Sequence, residues 1–344
     1  MSLAEELNAV QSSLTRYVLP VCLIFGIIGN LLNIIVFYQK HLRKNSCSVF
    51  FISTSIFNIL VMLCGIIPII LSSYLSFDYA SYSIPYCKFR SYIVHVLLMM
   101  SRFSVALASI DRFAACSPNV HIRFFNQYHI AIRSVIILML VWLLIPSHML
   151  VHVTIQMPTR RCGGAGIYST IYGIYSAIVT AIPLFIMVIF SSLAIQDLQH
   201  VRSRVHPMVV TNNTNISKLG RIRKRDTQLL RLLIGEVLVY FLSTVSFPVY
   251  SIYFSLTSAT IKSANRLAIE GLVRYFALSF LIYVNVCSIF YVHLLISKAF
   301  RHECKQLFLY LIRRQSANSL FLTTISASNI KRQPNRIHTP VKQN

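Results

Sequence analysis

Seven long apolar runs constrain this chain more than any other feature. They fall at about 17–39, 48–75, 88–115, 128–154, 167–196, 227–256 and 268–296. Each can cross a bilayer as a helix, which takes ~20 residues at about 1.5 Å per residue. The charge content agrees: 12% of the 344 residues are charged and 56% are hydrophobic, whereas a soluble domain carries about 25% charged residues. The expected fold class is therefore an all-α membrane protein, a seven-transmembrane helix bundle. No repeat with a period of about 20–50 residues runs through it, so a solenoid is excluded.

The net charge of +23 would point to nucleic acid in a soluble chain. Here topology explains it, and no nucleic-acid partner is expected. With the N-terminus outside, the inner loops and tail hold 23 of the 32 Lys and Arg, the outer segments hold eight, and Arg102 lies inside the third run. That asymmetry follows the positive-inside rule. It places residues 1–16 as an extracellular N-terminus, 17–296 as the bundle and the C-terminus in the cytoplasm, in the plasma membrane. Residues 1–16 are polar and show no signal-peptide pattern, so the first run is expected to act as its own insertion signal.

Polar and helix-bending residues then mark the runs. Run one holds Gly29-Asn30, which allow close approach and a bond across helices. Run two holds Asn58, read as interhelical glue, and Pro68, which should kink its outer half. Run three opens at Cys87 and ends in Asp111-Arg112-Phe113, with Cys87 and Arg112 about 37 Å apart along a helix. Cys162 lies in the next outer loop; it and Cys87 form either a disulfide or two free thiols. Run four holds Trp142, with His148 and His152 four residues apart. That spacing could serve a metal, but no third ligand is evident, so a satisfied pair is the reading. Pro183 in run five and Pro248 in run six are hinge candidates. The basic stretch Arg221–Arg225 could meet anionic lipid or an acidic partner. Residues 297–309 pattern as an amphipathic helix on the membrane surface, with Phe300, Cys304, Leu307 and Phe308 on one face. Cys304 is a candidate for lipidation. Residues 310–344 read as a disordered tail.

Together these residues resemble the rhodopsin-like (class A) G-protein-coupled receptors over about residues 17–308. More loosely, the chain looks like invertebrate FMRFamide-type neuropeptide receptors or chemosensory receptors. The resemblance implies an outer disulfide between Cys87 and Cys162, and a microswitch at Asp111, Arg112 and Phe113 that meets a heterotrimeric G-protein when span six swings about Pro248. It implies packing roles for Gly29, Asn30, Asn58, Trp142 and Asn285, a ligand pocket near Val94, His95 and Tyr283, and arrestin and membrane lipids as further partners.

The departures matter as much. The family's span-two Asp is Asn58. The span-seven Asn-Pro-x-x-Tyr becomes Ile289-Phe290-Tyr291-Val292-His293. The Cys-Trp-x-Pro of span six becomes Val245-Ser246-Phe247-Pro248. Ser191 stands for the usual tyrosine of span five, and Gln228 for an acid of span six. Arg102 is expected to stand where related receptors hold sodium, bonding to Asn58, Asn285 or carbonyls, or else to face a water-filled cavity.

Val94 replaces the Asp that binds amines, and Tyr283 replaces the Lys that binds retinal. The expected ligand is therefore a peptide or a small anionic molecule, matched to outer cations such as Lys88, Arg90, Lys262 and Arg266. No cofactor, metal or catalytic group is expected; no H-E-x-x-H or G-x-S-x-G is present. The alternatives are a receptor-like protein that binds without signalling through a G-protein, or a transporter, although paired broken helices are not evident.

Overall fold

The computed structural model describes residues 3–40, 42–75, 77–157, 160–204, 213–257, 260, 262–309 and 312. The tail from 313 onward, part of the segment read as disordered, lies outside the described residues. Two units are distinguished, residues 1–297 and 298–344; within the second, Lys298–Leu309 is a helix.

The first unit is a helical bundle. Six helical stretches are long and apolar enough to cross a membrane: Leu3–Phe37, Ser46–Leu75, Ile84–Cys116, Tyr128–His152, Ile167–Gln199 and Thr227–Tyr250. A seventh span follows as Ala264–Tyr275, a π-helical turn Phe276–Phe280, and Leu281–Ile296. The chain is thus a multi-pass membrane protein with the expected seven-helix bundle.

Span one starts well before its apolar run. Leu3–Ser13 is already helical, with Glu5 and Glu6 in the first turn, where carboxylates favour the helix dipole. A π-turn over Leu14–Val18 joins it to Leu19–Phe37. Thr15 and Tyr275 share a hydroxyl hydrogen bond of 2.9 Å, which ties span one to the start of span seven.

Span three is the hub. Ser83 caps it by accepting from Tyr86 N, and Pro85 sits in its first turn, where a missing N–H costs nothing. Of its most apolar window, 67% is buried, against 28% in spans one, four and five. The remaining surface of those three is left for lipid. The core around span three gathers Phe57, Met62, Val96, Met99, Leu138, Trp142 and Tyr283. Lipid tails are as apolar as these side chains, so close packing and polar ties, not water exclusion, hold the helices together.

The prolines act locally. Span two carries a π-turn at Met62–Ile66, just before Pro68. Span five runs unbroken through Pro183. Span six breaks at Val245, between Asn213–Thr244 and Ser246–Thr257. Pro248 has no N–H to offer the carbonyl of Thr244 four residues back, and its ring crowds that carbonyl.

At the end of the bundle that holds Cys87, strands Val153–Gln156 and Arg161–Gly164 pair antiparallel, with Ile155 opposite Cys162. A disulfide joins Cys87 to Cys162. It fastens this hairpin to the start of span three, resolving the choice between a bridge and two thiols.

Candidate functional site

Buried polar side chains gather in three layers within the bundle. The first lies at the Arg112 end. Asn45 caps span two, its side chain accepting from Cys47 N, and the next residue, Ser46, donates to Asn126 Oδ1. Arg112 reaches this cap. Its Nη2 donates to Asp111 Oδ2 at 2.6 Å, Asn126 Oδ1 at 3.2 Å and Asn45 Oδ1 at 3.3 Å. Its Nε donates to Asp111 Oδ2 at 3.1 Å. Arg112 is 0% exposed, so a full charge is held inside the protein by acceptors that include one carboxylate, two amide oxygens and, at 3.5 Å, the Ser46 hydroxyl. Buried charge is tolerated only when paired this way. Phe113 turns to the other side, its ring 5.5 Å from Phe190 in span five.

The second layer is a polar tie between spans six and seven. Glu236 Oε1 lies 2.6 Å from His293 Nε2. His293 Nδ1 faces Asn33 Oδ1 of span one at 3.3 Å. Phe37 and Phe51 meet the imidazole edge-on, at 6.0 Å and 5.3 Å between ring centres. The sequence reading recorded His293 only as a lost tyrosine and passed over Glu236. A signal was there: Glu236 is the one acidic residue between Thr227 and Tyr250, and an ionisable group inside a span is costly enough to need a partner.

The third layer surrounds Arg102. Asn30 donates to Gly26 O and Val286 O, Asn58 donates to Asn30 Oδ1 at 3.3 Å, and Ser101 donates to Asn58 Oδ1 at 2.5 Å. This chain links spans one, two, three and seven. Arg102 is not part of it, contrary to the expected bonds to Asn58 or Asn285. Its Nη1 donates to Thr244 Oγ1 at 3.4 Å, and its guanidinium lies 4.4 Å above the Tyr240 ring. The reason is helical phase: Ser101 takes the face of span three toward span two, and the next residue points about 100° away, toward span six. Tyr240 in turn donates to Thr180 O of span five at 2.8 Å. Asn285 lines a cavity beside Arg102, and its side chain bonds no neighbouring helix among the described residues.

At the disulfide end, the residues expected to line a pocket are mostly packed. His95 Nε2 is 3.3 Å from the Tyr175 hydroxyl, and its ring meets Trp142 and Tyr172. Trp142 also packs on Phe103 at 4.8 Å. Tyr283 is buried in the core. Val94 is half-buried. His148 Nδ1 is 2.8 Å from the Tyr168 hydroxyl, and the His152 ring lies 4.9 Å from the same tyrosine; no metal-binding group of three or more ligands occurs among the described residues. An open cleft of about 370 Å³ lies elsewhere, between spans one, two and seven, lined by Asn8, Gln11, Ser12, Ser72, Ser73 and Tyr275. The outer cations are largely engaged: Lys88 with Val151 O, Arg90 with Asp78, and Lys262 and Arg266 with Glu270.

Two internal polar ties and a sealed arginine thus lie inside the bundle. A search of curated proteins finds no match for the chain. A family model described as 7 transmembrane receptor (rhodopsin family) matches residues 29–289. That span runs from Gly29 through the Cys87–Cys162 disulfide, the Asp111-Arg112-Phe113 sequence and Pro248, so this chain belongs to the rhodopsin family of seven-transmembrane receptors.

Proposed function

We propose that this receptor sits in the plasma membrane with its N-terminus outside and carries the binding of an extracellular ligand to a heterotrimeric G-protein. The observation that carries the reading is the cage around Arg112. A cationic side chain with no exposure, held by Asp111 and two amide oxygens, is an unoccupied contact for a partner as long as the cage stays shut. Release of Arg112 would place a guanidinium at the cytoplasmic face, where 23 of the 32 basic residues gather. A break in span six at Val245 gives that helix a joint about which its inner half can move.

The ligand is read as a peptide or small anion. Cations outnumber carboxylates on the outer segments, although Asp78 and Glu270 already hold Arg90, Lys262 and Arg266. The cleft lined by Ser72, Ser73, Asn8 and Gln11 offers neutral hydrogen-bonding groups, which suits amide groups of a peptide. Arrestin and inner-leaflet lipid are further partners on this reading. Cys304, half-buried on helix Lys298–Leu309, is its lipidation site.

The test is G-protein activation in cells expressing the chain, screened with amidated peptides and small anions, with Arg112→Ala as control. A response that vanishes in the variant while surface expression holds is the expected result. Ligand binding at the surface with no G-protein response from the unaltered chain would overturn signalling and favour a receptor that only binds.

A further inference from the structure

We propose that the cavity beside Arg102 is a binding site for a small monovalent anion, with chloride as the probe. Arg102 is buried at mid-bundle, about 15 Å along span three from Arg112. A guanidinium has five N–H donors and a full charge. Here it gives one long hydrogen bond to Thr244 and rests on the face of Tyr240. Among the described residues, no carboxylate comes within ion-pair distance of it.

One carboxylate lines the same cavity, Glu236, and its Oε1 is already taken by His293. Its partner His293 has an oxygen at each ring nitrogen, Glu236 Oε1 at Nε2 and Asn33 Oδ1 at Nδ1. Glu236 is thus engaged by His293, and Arg102, whose hydrogen-bond and ring partners are Thr244 and Tyr240, is a buried charge with no carboxylate beside it among the described residues, where such a charge is costly.

The cavity has the size and donors for a counter-ion. It measures about 30 Å³, where a single water needs roughly 10–15 Å³. Besides Arg102, its walls carry Thr54 and Asn285. The Thr54 hydroxyl is buried and has no partner, and no described group takes the Asn285 side-chain amide. Glu236 Oε2, also buried without a partner, is the group on this wall that opposes an anion. Spans two, three, five, six and seven all contribute to the lining, so an ion there holds the bundle closed.

The experiment is thermal unfolding of the purified full chain in nanodiscs at constant ionic strength, exchanging chloride for gluconate. Selective binding to the folded state raises the midpoint. The expected result is a midpoint about 3 °C higher in chloride, rising saturably with chloride concentration. Thr54→Val should shift the half-saturation point several-fold upward. Arg102→Met should abolish the chloride effect, while Arg102→Lys, which keeps the charge, should retain part of it and covers the case where the methionine variant does not fold. Equal midpoints in chloride and gluconate for the unaltered chain would overturn the site, leaving water as the occupant. So would a full chloride effect in Arg102→Met, which would place the anion elsewhere. The measurement reads binding alone and stands apart from the signalling assay above.

Discussion

Glu236 of span six and His293 of span seven meet at 2.6 Å, both almost wholly buried. Related receptors place a tyrosine where His293 stands. Here the position carries a titratable ring held between an acid and the Asn33 amide. The pair joins the half of span six that precedes the break at Val245 to spans one and seven. Any swing of that half-helix has to break it.

Removing one partner should therefore loosen the resting bundle. Breaking a buried pair costs about 3–5 kcal/mol because the remaining group is left uncompensated. Glu236→Gln and His293→Phe are each expected to lower the thermal midpoint and raise basal G-protein activation. The double variant should cost less than the sum of the two, since the second change removes the orphan left by the first. Additive losses in a melt of all three variants would show that the two side chains do not work as a unit.

The Arg112 cage makes a separate prediction. Asp111 supplies the only negative charge among the partners named above, through Oδ2 to both Nε and Nη2. Asp111→Asn keeps the shape and removes the charge, halving the strength of hydrogen bonds that a charge assists. Basal activity is expected to rise several-fold with surface expression intact. Asn126→Ala, which removes one neutral acceptor at 3.2 Å, should have a smaller effect in the same direction. Unchanged basal activity in Asp111→Asn would mean the pair is structural.

Much of this was legible in the sequence, for reasons that differ by residue. Span positions follow from hydropathy, because bilayer thickness sets helix length. The Cys87–Cys162 bridge was implied by the family resemblance, whereas topology alone left it open beside two free thiols. Asn58 was read as glue between helices, and it does bond Asn30 and accept from Ser101. Of the two readings of Arg102, the side-chain bonds to Asn58 or Asn285 are not made while the residue does line a cavity, because a one-residue step along a helix turns the side chain by about 100°. That phase, relative to span six, is a tertiary fact. Glu236–His293 pairs residues 57 apart, so no local pattern announces it. The cleft near Ser72 and Tyr275 depends on the helical extension at Leu3–Ser13, which the polar composition of that stretch concealed.

Gly26 tests how tightly spans one, two and seven close. A Cβ there would lie 2.6 Å from Met62 Sδ and 2.7 Å from Cys287 Sγ. The Met62 end can move, but Cys287 Cβ would be only 3.0 Å away and is fixed to span seven. Gly26→Ala is expected to cost about 1–3 kcal/mol, and Gly26→Val more. The loss should appear as a lower midpoint in purified protein. Because Asn30 donates to Gly26 O and Val286 O, backing span one away also strains that link, so Asn30→Ala combined with Gly26→Ala should be less than additive.

The disulfide gives the last prediction. It closes a loop of 75 residues, and the chain-entropy account assigns about 4 kcal/mol to a loop of that order. The hairpin is held by other contacts too: Lys88 donates to Val151 O, and Ile155 and Cys162 stay paired in the ladder. Cys162→Ser should therefore leave the seven helices assembled while lowering the midpoint by several degrees and weakening ligand binding. Reductant supplies the control, because Cys87–Cys162 is the disulfide found among the described residues. It should lower the midpoint of the unaltered chain to that of Cys162→Ser and leave the variant where it was. An equal fall in both would place the redox-sensitive bond somewhere other than at Cys87–Cys162.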